Sequence, residues 1–212
     1  MARNSRSERG QGPAPGRRAS GRPGSPRARL FLALEPCAED RTALAAWRDE
    51  LVEGRDDLRP MAADSLHLTL VFLGYRPEKE IDAIAQAAFA AVEQLEPALL
   101  TPGEVIPLPR RGPRLFALDL VDEGARAVGI QAAASAALAD ARVYRPERRE
   151  WWPHLTLARV KRGRRAEPLT PAAPAPGPLR APLVTLYRSL LRPQGALYVP
   201  IERVELRGSD RA

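Results

Sequence analysis

The tetrapeptide His-Leu-Thr-Leu occurs twice in this chain, at residues 67–70 and 154–157, and the two copies contain its only histidines. Alternation of polar and apolar residues is the period of an extended strand, in which residues i and i+2 share a face. His67 and Thr69 therefore point one way, with Leu66, Leu68 and Leu70 pointing the other. His154 and Thr156 repeat the arrangement against Leu155 and Leu157. The leucines need a core, whereas the imidazoles and hydroxyls need a surface that is neither helix-covered nor fully solvated. Two such strands in one chain predict two sheets whose polar faces oppose each other across a cleft.

The surrounding pattern supports two lobes. Arg29-Leu30-Phe31-Leu32-Ala33-Leu34 reads as a buried strand ended by Glu35-Pro36. Leu44, Trp47, Leu51 and Val52 recur at helical spacing over 38–52, with Gly54 at the exit. Strand 66–73 follows, then a helix entered at Pro77 and running to about Leu95 with Ile81, Ile84, Ala88 and Val92 on one face. Strands at 99–106 and 115–121 flank the Pro/Arg loop 107–113, and an alanine-rich helix spans 123–139. The pattern then restarts with a strand at 154–160, a Pro-rich loop over 162–182, and strands at 183–190 and 196–206. This predicts an α+β protein of two similar lobes, each a mainly antiparallel sheet with flanking helices, around a central cleft.

Charge is unevenly placed. The net charge of +7 falls within residues 1–29, which hold eight arginines against Glu8, and residues 30–212 balance. Basicity therefore does not by itself assign a nucleic-acid partner to the folded part. Residues 1–28, rich in Arg, Pro, Gly and Ser, offer nothing to bury and are expected to form a disordered arm; 29–208 form the domain and 209–212 a tail. The lone Cys37 excludes an intramolecular disulfide and supplies no metal-ligand spacing. The apolar run 30–34 is too short for a signal peptide core, and no run spans a bilayer. These features describe a soluble, cytoplasmic protein, by default a monomer.

Imidazole titrates near neutrality and can give and take a proton within one cycle. One histidine on each lobe suits in-line displacement at phosphorus, where a base serves the attacking oxygen and an acid the leaving oxygen on the opposite side. The threonine hydroxyls can donate to the non-bridging oxygens. Two histidines on separate elements make a poor zinc site, and no nucleophile motif accompanies Cys37 or any serine. No metal or cofactor is expected.

Two His-x-Thr-x motifs in a bilobal α+β chain resemble the 2H phosphoesterases, and within them the RNA 2′,3′-cyclic phosphodiesterases, historically called 2′-5′ RNA ligases. The likeness covers about 29–206. It rests on Arg29-Leu30-Phe31-Leu32-Ala33-Leu34, Leu66-His67-Leu68-Thr69-Leu70-Val71-Phe72-Leu73-Gly74, Pro113-Arg114-Leu115-Phe116, Pro153-His154-Leu155-Thr156-Leu157-Ala158-Arg159, and Leu186-Tyr187-Arg188-Ser189 with Gly195 and Tyr198. The resemblance implies metal-independent hydrolysis of an RNA or nucleotide 2′,3′-cyclic phosphate to a 2′-phosphomonoester. It makes His67 the general acid and His154 the general base, with Thr69 and Thr156 at the phosphate. It places Arg159 on the phosphate or base, and Phe31 where a base stacks, although a place in the core suits Phe31 equally. Trp151-Trp152 departs from the family's usual phenylalanine before Pro-His. Arg110, Arg111 and Arg114 are candidates for an RNA path. Ligation in the reverse direction and a non-catalytic RNA-binding module are the alternatives.

Overall fold

The computed structural model describes residues 25–193 and 195–208. The first apolar run forms strand β1 (Arg27–Glu35) and is followed by α1 (Ala38–Leu51), β2 (Leu58–Pro60), β3 (Leu68–Pro77), α2 (Ile81–Val92), β4 (Ala98–Leu108) and β5 (Leu115–Asp122). Then come α3 (Arg126–Asp140), β6 (His154–Val160), β7 (Leu179–Ala181), β8 (Leu183–Arg192) and β9 (Gly195–Glu205). The strands pair antiparallel in two sheets, ordered β3-β1-β8-β9 and β2-β6-β5-β4-β7. Of the arm expected over 1–28, residues 1–24 lie outside the described residues, as does the tail 209–212. Arg27 and Ala28 already pair with Pro77 and Arg76, so the strand begins two residues earlier than expected.

Each sheet carries one His-Leu-Thr-Leu segment, as the periodicity predicts. The sheets do not, however, follow the two halves of the chain. β1 is buried along nearly its whole length and needs a neighbour on both edges; β3 supplies one, and β8, from the far end of the sequence, supplies the other. The middle of the chain builds the second sheet. The two sheets also share a core. Leu30, Leu32 and Leu34 of β1, Leu155 and Leu157 of β6, Ile84, Ala88 and Val92 of α2, and Ile130, Ala134 and Leu138 of α3 belong to one apolar cluster. The opposite face of β1 presents Phe31 and Ala33, which pack with Tyr187 in a separate aromatic cluster on the cleft side.

Two short strands are not visible in the sequence pattern. β2 pairs Arg59 with Arg159 on the edge of β6, and β7 lies within the Pro-rich stretch and pairs with the edge of β4. The stretch 162–182 is therefore strapped to the body. Trp47 Nε1 donates to the Ala173 carbonyl at 2.9 Å, Arg55 reaches the Glu167 carbonyl at 3.0 Å, and Leu169 is buried. Long loops of this kind hold their shape when their backbone finds such partners.

Helix α3 begins after Gly124 and Ala125, both at positive φ, and Asp122 satisfies its first free amides: the carboxylate accepts from Ala127 N at 3.0 Å and Val128 N at 2.8 Å. A carboxylate at this end also meets the positive end of the helix dipole. Asp122→Ala is expected to destabilise the protein by about 1 kcal/mol, measured as a lower urea midpoint with an unchanged slope.

Candidate active site

His67 sits immediately before β3, at the end of a segment fixed by its backbone. Met61 N donates to the Leu157 carbonyl at 2.8 Å, the buried Arg48 guanidinium donates to the Met61 carbonyl, and a single 3-10 turn over Ala63–Ser65 leads into the histidine. The imidazole lies among aromatic rings. Phe31 stacks on it at 5.1 Å between centroids and 29° between planes, Tyr187 at 5.8 Å and 27°, and Tyr198 meets it edge-on at 5.3 Å. Behind them Tyr187 donates its hydroxyl to Glu35 at 2.8 Å. Glu35 is 1% exposed and also accepts from Arg41 at 2.9 Å.

His154 opens β6. Its Nδ1 lies 2.8 Å from the carbonyl of Trp152, two residues earlier, and Trp152 stacks on the imidazole at 4.2 Å and 15°. A carbonyl can only accept, so Nδ1 carries a proton, and in the neutral ring Nε2 is the acceptor. Trp152 is anchored in turn by Nε1 donating to Asp119 at 2.5 Å, and Trp151 Nε1 donates across to the Thr69 carbonyl at 2.9 Å. The tryptophan pair thus joins the two motifs: one ring backs His154 and the other ties its segment to the strand of His67.

His67, Thr69, His154, Thr156 and Arg159 come together around one slot of about 50 Å³, with Met61, Ser65 and Tyr198 completing its walls. The geometry explains how Arg159 joins. In an unbroken strand residues 154, 156, 158 and 160 would share a face. Here the pairing with β5 skips from Ala117↔Thr156 to Phe116↔Ala158, and the bulge at Leu157 brings Arg159 round to the slot. Ala158 is buried in the core instead.

Phe31 is 3% exposed, covered by His67, Tyr187 and Tyr198, and this packing makes its ring a support for the imidazole. Tyr198 is legible in the sequence only as part of the family pattern, and Met61 and Ser65 carry no signal there, because ordinary residues become wall residues only through the fold. Arg59 escapes sequence reasoning because its strand does. It pairs with Arg159 across the β2–β6 ladder, and neither guanidinium has an acidic partner among the described residues. Like charges directly opposite on paired strands are unfavourable.

Packing around His67 strips water from its ring and pushes its pKa down to about 4; the Ser65 carbonyl and Glu35 act the other way, and Arg159 and His154 add to the depression. Its Nδ1 is sealed and makes no hydrogen bond among the described residues, although part of the residue remains open to the slot. The sign for stability follows. Between the ordinary value of 6.5 and about 4, the unfolded chain takes up a proton that the folded one refuses, so stability falls as pH drops through that window. Thermal melts from pH 7 to pH 4 are expected to lose part of this slope in His67→Gln.

Among the described residues no group of three or more His, Cys, Asp or Glu side chains is placed to hold a metal ion, and no helix is long and apolar enough to cross a membrane.

Two antiparallel sheets, each delivering one His-x-Thr pair to a shared slot, define a 2H phosphoesterase site. The chain belongs to the 2′-5′ RNA ligase superfamily, whose family model matches residues 34–189. It is 31% identical over 195 residues to the RNA 2′,3′-cyclic phosphodiesterase of Thermus thermophilus, covering 85% of this chain and 91% of that protein. Among solved structures, TT0787 of Thermus thermophilus aligns with a TM-score of 0.61 at 32% identity, over 85% of this chain and 99% of that one. The 3′-AMP complex of E. coli LigT aligns with a TM-score of 0.63 at 25% identity, over 85% and 99% of the two chains.

Proposed function

We propose that the protein hydrolyses 2′,3′-cyclic phosphates at RNA or nucleotide ends to 2′-phosphomonoesters, with His67 and His154 as the proton-transfer pair. The observation that carries this reading is the convergence of both histidines and both threonines on one slot. That slot has room for little more than a phosphoryl group. A cavity of about 540 Å³ adjoins it, sharing Thr69 and His154 and lined by Phe72, Tyr144 and Trp152 among others, and supplies the space for ribose and base.

In this reading His154 takes a proton from water at Nε2 while the water oxygen bonds to phosphorus. The P–O3′ bond breaks on the far side, and His67 protonates the departing 3′ oxygen, leaving the phosphate on O2′. Thr69 and Thr156 donate to the non-bridging oxygens as charge builds there, and Arg159 offsets the net negative charge. His67 starts neutral at pH 7 because of its depressed pKa. The cyclic phosphate brings a negative charge beside it, which favours the imidazolium, so the acid acquires its proton as substrate binds.

The Thermus thermophilus phosphodiesterase and the nucleotide complex of LigT support this class of substrate. The reading is tested by incubating the protein with 2′,3′-cyclic AMP in the presence of EDTA and separating 2′-AMP from 3′-AMP. Accumulation of 2′-AMP supports it, whereas an untouched substrate rejects it. The same assay with a 5′-hydroxyl RNA acceptor measures the ligation direction.

A further inference from the structure

The two histidines of the slot are held by different means. Three rings enclose His67. His154 is half-buried and, among the described residues, has one ring against it and one hydrogen bond, from Nδ1 to the Trp152 carbonyl. That bond fixes one nitrogen but leaves the imidazole free to rock about it, and rocking carries Nε2 away from the slot. The indole of Trp152, 4.2 Å away and within 15° of parallel, blocks the motion only if the indole is itself fixed.

Asp119 supplies the fixing. Its carboxylate accepts from Trp152 Nε1 at 2.5 Å, and Asp119 is the residue opposite His154 in the β5–β6 pairing, so both side chains rise from one face of the sheet. Among the described residues Asp119 makes no ion pair with the imidazole, so it acts on His154 through the indole. The strand on its other side is shaped to admit it. The β4–β5 pairing skips from Pro102↔Leu120 to Val105↔Leu118, which leaves Gly103 and Glu104 against Asp119 alone. A Cβ on Gly103 would lie 3.3 Å from Asp119 Oδ2 and 3.4 Å from its carbonyl oxygen, closer than side chains usually approach, so glycine in the bulge leaves the carboxylate its room.

We infer that Asp119 and Trp152 are positioning residues for His154: Asp119 locks the indole, and the indole holds the imidazole with Nε2 directed at the slot. The inference rests on the proposed chemistry for its effect on rate. A proton acceptor works within narrow limits, about 0.5 Å and 10–20°, which a side chain with a single hydrogen bond does not keep unaided. The indole N–H needs an acceptor oxygen at position 119, and a charge is not required. Asparagine carries such an oxygen and alanine does not.

The test measures steady-state rates on 2′,3′-cyclic AMP and the carbon-bound imidazole proton resonances of the full chain and its Asp119→Ala, Asp119→Asn, Trp152→Phe and D119A/W152F variants. The chain has two histidines, so His67→Gln assigns the His154 signals, which the ring current of the stacked indole displaces upfield. Asp119→Ala is expected to lower kcat about 10- to 100-fold with KM nearly unchanged, the effect of a misplaced catalytic group, and to remove the upfield displacement. Asp119→Asn keeps most of the rate and the displacement. Trp152→Phe, which keeps a ring but loses the N–H, slows the reaction by a similar factor. The double variant loses no more than the worse single one, because both changes break the same bond. Unaltered rate and resonances in Asp119→Ala would overturn the inference, as would a loss confined to KM, losses that multiply in the double variant, or an Asp119→Asn as impaired as Asp119→Ala. Should Asp119→Ala fail to fold, Trp152→Phe decides, and its full activity would overturn the inference. Should the unaltered chain hydrolyse nothing, the proposed chemistry fails, and the His154 resonances of the variants still decide whether Asp119 and Trp152 hold the ring.

Discussion

Alanine at His154 is expected to lower kcat for a 2′,3′-cyclic nucleotide by about 10²–10⁴-fold, the range over which a positioned acid or base acts. The fold should survive, because Trp152 keeps its bond to Asp119 and Leu155 and Leu157 keep their places in the core. His67→Gln should cost a similar factor. Glutamine keeps a planar polar group among the surrounding rings but cannot transfer a proton, which separates chemistry from packing. Combining the two substitutions should cost far less than the product of the single losses, since an acid and a base that act in one step fail together. Steady-state rates with circular dichroism on each variant check the expectation, and near-normal turnover by either would remove that histidine from the reaction.

Valine at Thr69 or Thr156 should lower kcat by about 10²–10³-fold, the usual cost of one donor to a developing oxyanion. Valine keeps the β-branch each strand accommodates and removes only the hydroxyl. Both threonines are half-buried at the slot beside their histidines, so the lost group is the one that would meet the non-bridging oxygens in the proposed mechanism. The pH dependence of the rate should keep its shape, because the titrating groups are intact, and serine at either position should recover much of the activity. Rates unaffected by valine would mean that the hydroxyls do not touch the phosphate.

Local periodicity makes much of this legible. Alternation around His67 and His154 defines two polar faces, and the structure brings both to one slot with their threonines. The helices can be read to within a few residues, because Leu44 and Trp47 or Ile84 and Ala88 mark a 3.6-residue stripe that tertiary packing then buries. The pairing of strands is not legible. Nothing in residues 183–192 announces that they flank β1, since sheet order depends on which edges remain free once the core has closed. The three-residue strands β2 and β7 are too short to show a period, which hides Arg59, and the bulge at Leu157 that turns Arg159 inward is a feature of two strands together. Phe31 shows what the sequence leaves open: an aromatic residue in this strand can stack on a base or pack in the core, and its place under His67 beside Tyr187 is set by strand pairing.

In the proposed reaction the paired histidines drive attack of water on a cyclic phosphate with departure of the 3′ oxygen. Turnover of 2′,3′-cyclic AMP in oxygen-18 water, followed by phosphorus NMR and mass spectrometry of the product, tests it most directly. The predicted product is 2′-AMP carrying one heavy oxygen on phosphorus, formed by the unaltered protein and lost together in His154→Ala and His67→Gln. A 3′-phosphate, an unlabelled phosphate, or labelled 2′-AMP formed at the normal rate by either variant would contradict it.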